Sequence, residues 1–144
     1  MIEQDTIKLL RECDAGTKMG IESIEDVLGH VERKNLYHKL ENSKKEHEAL
    51  HAEIQQHLWR FHDQGKDPSP IAKGMSKVKT TMKLSMENTD QCIAGLMADG
   101  CNMGVKSLNH YLNQYKAADE KSKDMAKRLI HLEETMAREM QAYL

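Results

Sequence analysis

Apolar positions recur at intervals of three and four along most of the chain, and the recurrence breaks at only a few places. From Ile7 a stripe runs through Leu10, Ile21, Ile24, Leu28 and Val31, with polar Asp14 and Thr17 set into it. That spacing turns one side of a helix toward a core. After a short turn near Lys34, with Asn35 as the expected N-cap, a second stripe follows: Leu40, Ser43, His47, Leu50, Ile54, His57 and Phe61. A connection this short makes the two helices antiparallel neighbours.

The run Gln64-Gly65-Lys66-Asp67-Pro68-Ser69-Pro70 interrupts the pattern, and Ser69 before Pro70 reads as an N-cap with a first-turn proline. A shorter amphipathic segment carrying Ile71, Met75, Val78, Met82 and Met86 is expected to be a crossover helix, ending near Asn88. Thr89 or Asp90 then caps a third long helix with Ala94, Ala98, Cys101, Val105, Leu108, Leu112 and Tyr115 inward. A fourth presents Ser122, Met125, Leu129, Leu132, Met136 and Tyr143, after a junction around Lys116 to Asp119. One domain over 1–144 is expected: a first hairpin at about 4–63, a crossover at 64–89 and a second hairpin at about 90–144.

The halves also match. Gly16-Thr17-Lys18-Met19-Gly20-Ile21-Glu22-Ser23-Ile24 aligns with Gly100-Cys101-Asn102-Met103-Gly104-Val105-Lys106-Ser107-Leu108 under a shift of 84 residues. The second helices align less strictly under a shift of 82, Leu50 with Leu132 and Phe61 with Tyr143. Two hairpins about a pseudo-twofold axis are expected. A glycine inside a helix costs about 1 kcal/mol relative to alanine, so Gly16, Gly20, Gly100 and Gly104 together cost roughly 4 kcal/mol that close packing would offset. The spacing predicts that the first and third long helices cross backbone to backbone there, with Met19 and Met103 at the border.

Composition agrees with an all-helical reading: Met 10 against Gly 8 and Pro 2, with 4% aromatic residues. A net charge of −2 provides no global field for nucleic acid or an anionic membrane. No stretch approaches the roughly 18 apolar residues of a membrane span, and Met-Ile-Glu-Gln-Asp lacks the pattern of a secretory leader, so a cytoplasmic location is expected. Cys13, Cys92 and Cys101 have no CxxC spacing and read as reduced thiols, Cys101 on an inward stripe.

Candidate chemistry centres on the second helix, which carries His47, His51, His57 and His62. His47 and His51, four residues apart, share a helix face and are spaced to bind one ion. The hairpin register brings Asp14 and Thr17 level with roughly Ile54 and His51, and the internal match sets Glu133 opposite His51. Asp14, His47, His51 and Glu133 thus form a candidate metal shell, with Glu48 nearby. The alternative reading is structural: His47 as a hydrogen-bonded core histidine, His51 and Glu133 as partly solvated flanks, Asp14 as a local cap or pair. From Pro68 to Met86 there is no acid beside Lys73, Lys77, Lys79 and Lys83, which reads either as a solvated rim or as a surface for a protein partner.

Two antiparallel pairs with matched motifs on the first and third helices resemble the ferritin-like superfamily. Asp14-Ala15-Gly16, then Gly-Lys-Asp-Pro-Ser-Pro, then Asp99-Gly100 are similar to small bacterial ferritin-like bundle proteins of unassigned function. The resemblance implies a ferritin-like four-helix bundle and, in active members, a di-iron site with Glu-x-x-His units. This chain offers one such unit, Glu48-Ala49-Leu50-His51, with Glu48 off the core stripe; Ile130-His131-Leu132-Glu133 stands where the second is due. The expected function is therefore a non-catalytic structural, stress-related or interaction role, as a homodimer and with no cofactor. The alternative is a metal-binding, di-iron-like oxidoreductase or metal-storage relative using iron, zinc or manganese. Leu9 and Val27 are left over for a dimer contact or the core's edge.

Overall fold

The structure, a computed structural model, describes residues 2–68 and 89–144. Four helices account for most of these: α1 (Ile2–Leu28), α2 (Lys34–Trp59), α3 (Thr89–Gln114) and α4 (Glu120–Met140), with a 3-10 turn at Gln141–Tyr143. The chain is all-α among the described residues. The expected crossover helix, its Ser69 cap and its four lysines lie outside them. No helix among the described residues is long and apolar enough to cross a membrane.

α1 lies along α2 and α3 along α4, and α4 also packs on α1 and α2. α1 and α2 run antiparallel, because Asp14, Thr17 and Gly20 meet Gln55, His51 and His47 in that order. The buried face of α2 follows the expected stripe, from Leu40 through Ser43, His47, Leu50 and Ile54 to His57. That of α1 is turned slightly: Leu9, Cys13, Gly20 and Val27 are buried beside Leu10, Asp14, Thr17 and Ile24, while Ile7 and Ile21 are half-buried. Leu9 and Val27 are thus fully buried core residues. The phase shifts because α1 is covered by three helices, which widens its inward face beyond one stripe.

Two apolar cores result. One gathers Leu9, Leu10, Ile54, Leu58 and Leu129. The other gathers Ile24, Val27, Leu40, Ile93 and Met140. Between them lies a polar layer made by Asp14, Thr17, His47 and Glu133, all buried.

The ends of the two helix pairs are fastened reciprocally. Asp90, in the first turn of α3, accepts hydrogen bonds from the backbone N–H groups of Glu32 and Arg33 at 2.8 and 3.0 Å, in the turn between α1 and α2. Asp5 and Thr6, near the start of α1, accept from the N–H groups of Ala117 and Asp119 at 3.0 and 2.8 Å, in the turn between α3 and α4. Asp90 therefore does not cap its own helix, and Asn35 only accepts from the next residue, Leu36. Asp119 is the N-cap of α4, accepting from Ser122 N–H at 2.8 Å.

Candidate functional site

The helical spacing of His47 and His51 brings both toward the polar layer, but each takes a different carboxylate. His47 is fully buried, and its Nδ1 lies 2.7 Å from the carbonyl oxygen of Ser43. A carbonyl only accepts, so Nδ1 carries a proton. Nε2 lies 3.2 Å from Glu133 Oε1. With acceptors on both sides, the pair holds one proton beyond neutral imidazole and free carboxylate. Burial alone would lower the His47 pKa; the hydrogen bond and charge of Glu133, with the Ser43 carbonyl and Glu46, outweigh it and raise the pKa above the ordinary 6.5.

Glu133 is also buried, and its charge bears on the neighbouring Cys101 thiol. Burial, then the Glu133 charge, pushes the Cys101 pKa well up, so this thiol stays protonated. Cys13, buried beside Glu12 and Asp14, is pushed up to about 12. Neither is an activated nucleophile.

Two of the matched glycines, Gly20 and Gly104, lie against this pair. A Cβ on Gly20 would stand 2.6 Å from the His47 ring, and one on Gly104 would stand 3.4 Å from the Glu133 carboxyl carbon. One on Gly16 would meet Leu129 at 3.1 Å, and one on Gly100 meets nothing within 4 Å among the described residues. The backbone crossing expected at these four positions is replaced by side chains from α2 and α4 seated against three of the glycines. The physical reason is the polar pair: a bulky ring and carboxyl between helices need the volume that a missing Cβ supplies.

Asp14, fully buried, serves a second cluster. Its Oδ2 accepts from Lys18 Nζ at 2.9 Å and from the backbone N–H of Lys66 at 3.1 Å; its Oδ1 accepts from Gln55 Nε2. His51 Nδ1 lies 3.4 Å from Oδ1 and 3.0 Å from Thr17 Oγ1. The Thr17 hydroxyl proton goes to the carbonyls of Asp14 and Cys13, at 2.9 and 3.1 Å, so His51 Nδ1–H is the donor toward Thr17. Gly65, at φ 91°, lets the chain after α2 fold onto Asp14, where a Cβ would collide with the carboxylate. Arg11 with Asp63, and Lys66 Nζ with Glu12 at 2.6 Å, bind the same loop to α1.

The candidate shell thus divides: Asp14 with His51, and His47 with Glu133. Glu133 faces His47 rather than the expected His51, and it is buried rather than partly solvated. Glu48 is exposed, away from both clusters. Among the described residues no group of three or more His, Cys, Asp or Glu side chains is placed to hold a metal ion. The set does not fit a di-iron centre: Asp14 already receives an ammonium group and a backbone amide, and Glu133 an imidazole.

Several further groups take part in these clusters. Lys18, four residues after Asp14, carried a signal in its helical spacing. Gln55 and the Lys66 amide carried none, because loop return is invisible to periodicity. His57 Nε2, 3.2 Å from Asp119 Oδ2, makes a third imidazole–carboxylate pair at the end of the bundle. Ser122 and His57 hold the Asp119 pKa below the usual carboxylate range against the opposing effect of burial.

Comparison with protein-family models, with curated proteins and with solved structures finds no match to this chain.

Proposed function

We propose that this chain is a non-catalytic, ferritin-like helical bundle with a structural or protein-interaction role, in which the central histidines and acids hold helices together. The observation that carries the reading is how completely the two buried carboxylates are engaged by the protein's own donors. Asp14 has Lys18, Gln55 and the Lys66 amide; Glu133 has the buried His47 ring. A metal entering at Asp14 would have to displace an ammonium group, and one entering at Glu133 a charged imidazole in a water-poor interior. The reciprocal fastening of the two turns supports a pseudo-twofold, ferritin-like pairing of hairpins.

A second reading, a degenerate metal site, draws on one specific contact: His51, a quarter exposed, lies 3.4 Å from Asp14. With Lys18 swung outward, these two could begin a shell. Elemental analysis of protein purified without an affinity tag separates the readings. The structural reading expects substoichiometric metal, unchanged in His51→Ala. Stoichiometric iron, zinc or manganese that disappears in that variant would reject it.

A further inference from the structure

The outer side of the α2–α4 seam carries a groove of about 450 Å³, with Ala49, Leu50 and Leu132 in its wall, Glu46 on the α2 lip, and Lys127 and His131 on the α4 lip. One part of the seam is spanned by Arg128 and Glu53, whose side chains meet at 2.6 and 3.1 Å. Glu46, Lys127 and His131 take part in no ion pair among the described residues. The unpaired charges on the two lips are therefore opposite: Glu46 on α2 and Lys127 on α4. The α2 side continues as exposed Ala49, Ala52 and Trp59, at three- and seven-residue spacing on one helical face, with Trp59 72% exposed.

We propose that this groove is a self-association surface, and that its occupant is a second copy of this chain, related by a twofold axis running along the groove. That operation sets the α2 lip of each copy against the α4 lip of the other, so Glu46 of each copy meets Lys127 of the other, while the small Ala49 and Ala52 admit a facing helix. A twofold axis lying across the groove would instead set acid on acid and base on base. The proposal goes beyond the functional reading above and holds for either metal outcome.

Sedimentation velocity on the full chain tests it, with two charge variants that leave the Arg128–Glu53 bridge intact. Glu46→Lys with Ala49→Lys makes both lips basic; Lys127→Glu with His131→Glu makes both acidic. The wild type is expected to sediment as a dimer, each variant alone as a monomer, and an equimolar mixture of the two as a heterodimer. A monomeric wild type, a variant that remains dimeric, or a mixture that stays monomeric would overturn the proposal. Circular dichroism establishes that the variants are folded. Should one not be, Ala49→Arg takes its place, and retention of the dimer in that variant overturns the proposal equally.

Discussion

His47 and His51 stand one turn apart on the same helix and each lies beside a buried carboxylate, yet the two pairs are built for different loads. His47 and Glu133 are sealed together: both ring nitrogens face acceptors, and the acid's other neighbour is a protonated thiol. His51 is a quarter exposed and is one of several donors around Asp14, whose charge Lys18 also meets. In the sealed pair each partner is the other's principal compensation. In the shared cluster, losing the imidazole leaves the carboxylate with an ammonium, an amide and a backbone N–H.

The largest expected effect follows from that contrast. Glu133→Ala takes the acceptor from His47 Nε2 and leaves a cavity in the polar layer; with the imidazole shedding its proton, the loss should still be about 2–4 kcal/mol in urea unfolding. His51→Ala should cost about 1 kcal/mol or less, since Asp14 keeps its stronger donors. Equal losses in the two variants would break the comparison.

Next in size are the glycines beneath the pairs. Gly20→Ala drives a methyl into the His47 ring, 2.6 Å from the new Cβ, and should destabilise by about 1–3 kcal/mol. Gly100→Ala, with nothing within 4 Å among the described residues, should stabilise by up to about 1 kcal/mol through helix propensity. Thermal melts of both variants sharpen the comparison: opposite signs mean that Gly20, under the sealed pair, is needed for space and Gly100 is not.

The smallest effect is a pH dependence. The folded-state pKa of His47 is raised above the 6.5 of the unfolded chain by Glu133, the Ser43 carbonyl and Glu46 acting against burial. The proton is then bound more tightly in the native state. Its stabilisation is full below about pH 6.5 and is lost as pH rises through the folded-state value. The melting temperature should fall over that alkaline window in the wild type and fall less in His47→Gln. An identical pH slope in the two proteins would detach the histidine from the effect.

The four long helices and their order could be read from periodicity because each buries a nearly continuous apolar stripe. The polar layer was half visible for the same reason, since Asp14, Thr17, Ser43 and His47 sit where a stripe calls for apolar residues. Which acid met which imidazole was not visible. Glu133 faces His47 and not His51 through a one-turn difference in how α4 slides against α2, and sequence spacing on separate helices does not set that slide. Gly16, Gly20 and Gly104 face Leu129, His47 and Glu133 rather than a neighbouring backbone, because a helix pattern says where a side chain is missing and not what enters the gap.

The reciprocal fastening of the turns bears on how the molecule melts. Each turn's amides are satisfied by an acceptor that exists in position only while the opposite helix pair is folded. Unravelling either pair strips hydrogen-bond partners from the other's bend, at the very place where a hairpin would otherwise persist alone. Half-molten species are thereby penalised from both ends, and the chain should pass between ordered and disordered forms in one step.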